Sequence, residues 1–290
     1  MKRRRSYLFM PGNNPGMLAA SQHLGADAVI FDLEDAVAQT EKDAARCLVR
    51  NALSFLQQRA TDIVVRINSL DSPHWQADIR AAAAAEYILV PKCAAREDIP
   101  RIAACLEETE KACGRSLPVR FLALVESPLG IENVFAIASG HPRLAGILLG
   151  AEDLTAELGA KRTPGGQEIF YARSRVLMAC KAAGIIAIDT PFPFVSDLDG
   201  LAEDAALAAH MGFDAKALIS PQHVPAVNEA FTPAPAQVNW ALRVMASARR
   251  AQQEGKGAVS LDGMMIDLPV IKRAERILSL AGETAEAGHA

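Results

Sequence analysis

Apolar residues gather in eight short runs up to residue 219: Tyr7–Met10, Ala28–Phe31, Ile63–Val65, Tyr87–Val90, Phe121–Val125, Gly146–Leu149, Ile185–Ile188 and Ala217–Ile219. The runs are continuous rather than alternating, which suits strands buried on both faces of a parallel sheet. Between them the apolar spacing turns helical. Glu41–Ala60 puts Ala45, Leu48, Val49, Ala52, Leu53 and Leu56 at helical intervals, and Ile99–Gly114 does so with Ile102, Leu106 and Cys113. Glu168–Gly184 carries Ile169, Ala172, Val176 and Ala179, and Leu201–Gly212 is rich in alanine. Both stop at glycine, the residue favoured just past a helix end. Strand alternating with helix eight times predicts an α/β chain folded as a (β/α)8 TIM barrel. The competing open, doubly wound sheet would carry a Gly-rich phosphate turn after its first strand. Here that turn is Pro11-Gly12-Asn13-Asn14-Pro15-Gly16, which lacks the GxGxxG spacing.

After the eighth run the pattern changes. Thr232-Pro233-Ala234-Pro235 reads as a hinge. Val238–Gln253 is an amphipathic helix with Trp240, Ala241, Val244, Met245 and Ala248 on one side. Gly255-Lys256-Gly257, an extended Ala258–Leu261, a turn at Asp262-Gly263 and a last helix at Pro269–Leu280 follow, and 281–290 read as a frayed tail. The expected organisation is a barrel over residues 1–231 and a C-terminal helical arm over 232–290. The arm is small, so its apolar surfaces need a partner, either the barrel or a neighbouring subunit.

Composition narrows the function classes. The chain has 290 residues, half of them hydrophobic and 22% charged, an ordinary globular mix with enough apolar surface for a substantial core. A net charge of −4 gives no reason to expect a nucleic-acid partner. The basic cluster Lys2-Arg3-Arg4-Arg5 precedes an apolar stretch shorter than a secretory leader of about 7–15 residues. No run approaches the roughly 18–20 apolar residues that cross a bilayer, so a cytoplasmic protein without a membrane partner is expected. Five cysteines without a CxxC pair, and six histidines without HxH or HExxH spacing, argue for reduced structural thiols and against zinc.

In a TIM barrel the chemistry sits where the strands end. The chain there offers Asp32, Glu34, Asp35, Arg66, Lys92, Glu126, Glu152, Asp153 and Asp189. Several acids on one rim repel each other unless a cation lies between them. Oxygen donors without organised His or Cys favour magnesium or manganese over zinc, and magnesium takes one or two protein carboxylates and fills its other positions with water or substrate oxygens. Glu126 and Asp153 are the best ligand candidates, since each follows an apolar strand closely and has small neighbours, Ser127-Pro128-Leu129-Gly130 and Gly150-Ala151. Lys92 suits an ion pair better than an imine. Ser127 lies in no GxSxG elbow, which argues against a hydrolase nucleophile. Arg162, Arg173 and Arg175 read as solvated helix charges.

Several of these stretches together resemble the beta subunit of citrate lyase and its stand-alone relatives, in the aldolase superfamily that also holds malyl-CoA lyases. They are Arg5–Gly12, Phe31–Val37, Val65–Asn68, Glu126–Gly130, Leu149–Leu154, Gly212-Phe213-Asp214 and Gly263–Asp267. The resemblance implies a barrel that uses Mg2+ to cleave a β-hydroxyacyl thioester on CoA or an acyl carrier. It assigns Glu126 and Asp153 as metal ligands, with Glu34 and Asp35 beside them holding metal-bound water. Arg66 would contact the substrate, and Asp267 would reach the active site of a neighbouring subunit in a homotrimer. The plainer reading of Asp267 is a cap for the helix at Pro269.

The expected activity is therefore carbon–carbon lysis of a citryl, citramalyl or malyl thioester to an α-keto acid and an acetyl thioester. Arg66 would stabilise enolate charge, and Asp267 would move the proton at the enolate carbon. Citrate lyase alpha and gamma subunits are partners if the chain works inside a complex. Two alternatives stand beside this reading: a class II aldolase acting on free pyruvate and an aldehyde, and a non-catalytic scaffold. Ser220-Pro221 and the loop Thr190–Phe194 depart from the family pattern and bear on the substrate.

Overall fold

The structure, a computed structural model, describes residues 4–56, 61–253 and 259–282. The start of the basic cluster at Lys2 and Arg3, the glycine linker at 255–257 and the tail beyond Gly282 lie outside the described residues. The chain divides into two compact units, Lys2–Phe231 and Thr232–Ala290.

The first unit is a closed parallel barrel of eight strands in sequence order. The strands are β1 (Ser6–Pro11), β2 (Ala28–Asp32), β3 (Asp62–Arg66), β4 (Tyr87–Val90), β5 (Arg120–Val125), β6 (Leu144–Leu149), β7 (Ile186–Asp189) and β8 (Ala215–Leu218). Every one overlaps a run expected from the sequence. The largest shifts are at β6 and β8, each of which starts two residues earlier than its apolar run; in β8 this is because Lys216 sits inside the strand. Tyr7 pairs with Ala28 at one seam and with Ala217 at the other, closing the sheet.

The connecting helices are α1 (Pro15–Ala20), α2 (Lys42–Phe55), α3 (Trp75–Ala81), α4 (Asp98–Cys113), α5 (Pro128–Glu132), α6 (Val134–Ala138), α7 (Ala151–Leu158), α8 (Phe170–Ala183), α9 (Leu198–Met211) and α10 (Val224–Ala230). Helices α4, α8 and α9 end at Gly114, Gly184 and Gly212, each with positive φ, as the glycine stops foretold. Two cores follow from the alternation of side chains across a strand. Val29, Phe31, Val65, Ile88, Val90 and Ile147 face outward and pack with the helices. Tyr7, Ile30, Val64, Leu89, Leu122, Leu148 and Ile188 fill the barrel.

In the second unit, α11 (Pro235–Gln253) packs on α12 (Leu268–Ala281). Val238, Ala241, Val244, Ile266, Ala274 and Leu278 are its buried core, with Trp240, Met245 and Ala248 against it. Much of the apolar face expected to need an outside partner is thus met within the arm. The extended stretch is half of a hairpin, β9 (Val259–Leu261) antiparallel to β10 (Met264–Ile266). Asp262 and Gly263 both take positive φ, 54° and 79°, which makes the two-residue turn that Asp-Gly favours.

Candidate active site

Strand parity builds the site. The barrel-filling positions include Ile30, Val64, Leu124, Leu148, Ile188 and Ala217. Counting on by two reaches Asp32, Arg66, Glu126, Gly150, Thr190 and Ile219, and all six line one cavity of about 480 Å³. Phe9, Pro11, Asp35, Glu152, Asp153 and Pro191 contribute to the same walls. The polar lining is therefore the next inward layer of the barrel, placed where the strands end.

Arg66 is locked in place. Its Nε and Nη2 donate to the two oxygens of Asp32 at 2.7 and 2.6 Å. Nη1 lies 3.1 Å from Glu34 Oε2 and 3.4 Å from Asp35 Oδ2. The guanidinium also stacks 5.1 Å from the centre of the Phe9 ring. Burial opposes its charge, but the hydrogen bonds and charge of Asp32, with Glu34 and Asp35, raise its pKa above the ordinary value. A fork held at both ends is preorganised for an oxyanion.

Asp32 is the functional residue that the sequence reading left without a role. Its oxygens also accept the backbone N–H groups of Glu34 and Ala36, at 2.8 and 3.1 Å. Buried Lys42 donates to the carbonyls of Leu33 and Glu34 at 2.7 and 2.6 Å, which pins the same loop. The signal for Asp32 was available, because it continues the inward parity of Ala28 and Ile30.

Glu126 sits deeper. One oxygen accepts the Lys92 N–H at 2.9 Å, and Lys92 holds that N–H in place with a φ of 55°, a conformation uncommon outside glycine. Opposite, a Cβ on Gly150 would lie 2.5 Å from Glu126 Cβ and 2.7 Å from its Oε2, so only glycine leaves the carboxylate room. Burial pushes the Glu126 pKa up to about 8; the Lys92 hydrogen bond opposes this, and the charges of Asp153 and Glu34 add to it. Glu34 is likewise pushed up to about 7, chiefly by burial, with Arg66 opposing.

The other expected rim residues divide. Asp153, in the first turn of α7, and Asp35 line the cavity. Glu34 lies behind Arg66 and is not among the lining residues. Lys92 pairs with Glu34 at 3.6 Å, as the ion-pair reading expected. Glu152 bonds Arg162 at 2.9 Å. Asp189 is no open rim group: it is fully buried and bonded to Arg173 and Lys216, and Arg173 is no solvated helix charge. Both belong outside the sheet, because Ile188 takes the inward position beside Asp189. Asp267 belongs to the other unit, where its side chain accepts the Val270 N–H at 3.2 Å and caps α12.

Residues 5–221 match the model of the HpcH/HpaI aldolase/citrate lyase family. The chain belongs to that family. It is 42% identical over 284 residues to the citrate lyase subunit beta of Haemophilus influenzae, covering 97% of this chain and 98% of that one. It is 34% identical to the L-malyl-CoA/beta-methylmalyl-CoA lyase of Cereibacter sphaeroides, over 96% of this chain and 94% of that one. Its fold matches protein CitE from Mycobacterium tuberculosis in complex with magnesium, acetoacetate and coenzyme A. That match has a TM-score of 0.79 and 33% identity, and covers 97% of this chain and 99% of that one. The family is one of carbon–carbon lyases, so the TIM barrel and the enzyme class expected from the sequence both hold.

The donor set fits the magnesium seen in the family. Among the described residues no three His, Cys, Asp or Glu side chains are gathered so as to enclose a metal by themselves. Magnesium does not ask for that, since one or two carboxylates suffice when substrate and water complete the shell. Glu126 and Asp153 line the same cavity, and the space left by Gly150 holds the Glu126 carboxylate. Among the described residues no helix is long and apolar enough to cross a membrane.

Proposed function

We propose that the chain is a magnesium-dependent lyase that cleaves a citryl, citramalyl or malyl thioester, carried on CoA or an acyl carrier protein. The products are an α-keto acid and an acetyl thioester. The observation that carries this reading is the single cavity lined by Arg66, Glu126 and Asp153. Glu126 and Asp153 would hold the metal, which when bound would supply Lewis-acid stabilisation of the charge that develops on the substrate hydroxyl. Arg66, fixed by Asp32, faces the oxygen of the departing thioester enolate and stabilises its charge. Asp35 and Glu34 orient water and keep Arg66 aimed.

Asp267, in a neighbouring subunit of a homotrimer, moves the proton at the enolate carbon. Exposed Met265 and Leu268 flank it, which suits a segment that docks against another surface. In this reading the arm of residues 232–290 serves a neighbour's barrel, and alpha and gamma subunits join where an acyl carrier brings the substrate.

The test is direct. Purified protein with magnesium should release keto acid from at least one of citramalyl-CoA, malyl-CoA and a citryl thioester. If all three stay intact while pyruvate and an aldehyde condense, the class II aldolase reading replaces this one. Asp267→Asn separates proton transfer from capping, because Asn caps a helix about as well as Asp. Turnover should fall roughly 10²–10⁴-fold, the usual contribution of a positioned acid–base group, with the melting temperature unchanged.

A further inference from the structure

The helix that carries Asp153 starts without a cap of its own. Its N-cap residue is Gly150, which has no side chain to accept an N–H. That position is closed to Ser, Thr, Asp or Asn, the usual capping residues, because any Cβ there would strike Glu126. The first N–H groups of a helix nonetheless need acceptors, and Ala151 is buried. For the first of them the acceptor comes from the residue just after β7: Ala151 N–H donates to Thr190 Oγ1 at 3.2 Å.

Thr190 is in turn held from behind. Lys216 Nζ donates to its carbonyl at 2.7 Å and to Asp189 Oδ2 at 2.6 Å, and pairs with Asp204 Oδ2 at 2.6 Å. Arg173 grips both Asp189 oxygens at 2.9 Å and Asp204 Oδ1 at 2.6 Å. The two cations and two anions of this cluster are all buried. Lys216 donates hydrogen bonds to Asp189 and to the Thr190 carbonyl and forms an ion pair with Asp204, so the carbonyl is tied to a buried, charge-balanced cluster in which Arg173 Nη1 has no hydrogen-bond partner among the described residues.

We propose that Thr190 is a positioning residue for the metal site: from just past the end of β7 it supplies an acceptor for the first N–H of α7, a helix whose N-cap glycine offers no side chain. It thereby fixes the first turn of α7, and so Asp153, relative to Glu126. The Arg173–Asp189–Asp204–Lys216 cluster sets where Thr190 stands. The inference rests on the reading of Glu126 and Asp153 as metal ligands.

Mn2+ serves as the probe, with binding to the metal-free full chain followed by loss of the free-ion electron paramagnetic resonance signal. Thr190→Val keeps the shape and removes the acceptor. It should weaken Mn2+ binding about 10-fold or more, the usual cost of losing a group that orients a ligand, while Thr190→Ser stays within about twofold of wild type. Without metal, the amides of the segment around Ala151 should exchange hydrogen faster in Thr190→Val than in Thr190→Ser. Should the valine variant not fold, Thr190→Ala takes its place in the same comparison. Equal Mn2+ affinity in wild type and valine variant overturns the proposal, as does an equal loss in the serine variant. Wild-type protein that takes up no Mn2+ overturns the metal reading, and this proposal with it.

Discussion

Glu126 and Asp189 both stand at the ends of aliphatic barrel strands, and both are buried, yet their surroundings are opposite. Asp189 meets two cations, Arg173 and Lys216, and shares them with Asp204. Burial works against its charge, but those cations overcome it and lower its pKa below the ordinary value. Glu126 meets one backbone N–H, and burial, with the negative charges of Asp153 and Glu34 adding to it, pushes its pKa up to about 8. Around it, Glu34, Asp35, Asp32 and Asp153 crowd Arg66 and Lys92. A cluster of two cations and two anions neutralises itself and serves the fold. A cluster with surplus carboxylates is poised to take a cation, and it faces the cavity.

The largest expected effect breaks this comparison if it fails. Asp189→Asn leaves the two buried cations Arg173 and Lys216 with one anion, Asp204, between them and should cost about 3–5 kcal/mol of folding stability, read from urea unfolding of metal-free protein. Glu126→Gln should leave that stability intact, because burial already favours the neutral acid at that position and glutamine is its neutral isostere, while abolishing Mn2+ binding. The reverse pattern would mean that the roles of the two clusters have been exchanged.

Arg66→Lys sharpens the picture of the rim. Lysine keeps the charge but not the two-pronged bond to Asp32. Turnover should fall about 100-fold, near ~3 kcal/mol, with a smaller change in the thioester KM. An unchanged kcat would remove Arg66 from the chemistry.

The smallest effect is on pH dependence. A depressed carboxylate pKa contributes stability that is fully present above the unfolded value of about 3.9 and is lost as pH falls toward the folded one. Wild-type protein should therefore lose up to about 1 kcal/mol per pH unit through Asp189 below roughly pH 4, seen as a falling urea midpoint. Asp189→Asn should show a shallower acid slope. Equal slopes would place the acid sensitivity elsewhere.

Much of this was legible in the sequence because barrel strands announce themselves. Continuous aliphatic runs need burial on both faces, and the polar residue after each run falls at the rim. Glu126, Asp153 and Arg66 were found that way. Which face a strand-end group takes was harder. Asp189 looked equivalent to Asp32, and one step of parity separates them: Asp32 follows Ile30 inward, whereas Asp189 follows Ala187 outward. Arg173 looked like a solvated helix charge because nothing local marks a helix position that meets two carboxylates from other elements.

The sequence by itself determined the order of strands and helices, the glycine stops of α4, α8 and α9, the hairpin turn at Asp262-Gly263 and the family. These depend on local periodicity, on backbone conformations that glycine and Asp-Gly allow, and on short motifs. Only the tertiary structure decided which charges pair. It sends Asp32 to Arg66 and Asp189 to Arg173 and Lys216, and it brings the Thr190 hydroxyl to the start of α7. Those contacts join groups 16 to 39 residues apart, and electrostatic partnership is set by distance through space after the barrel has closed.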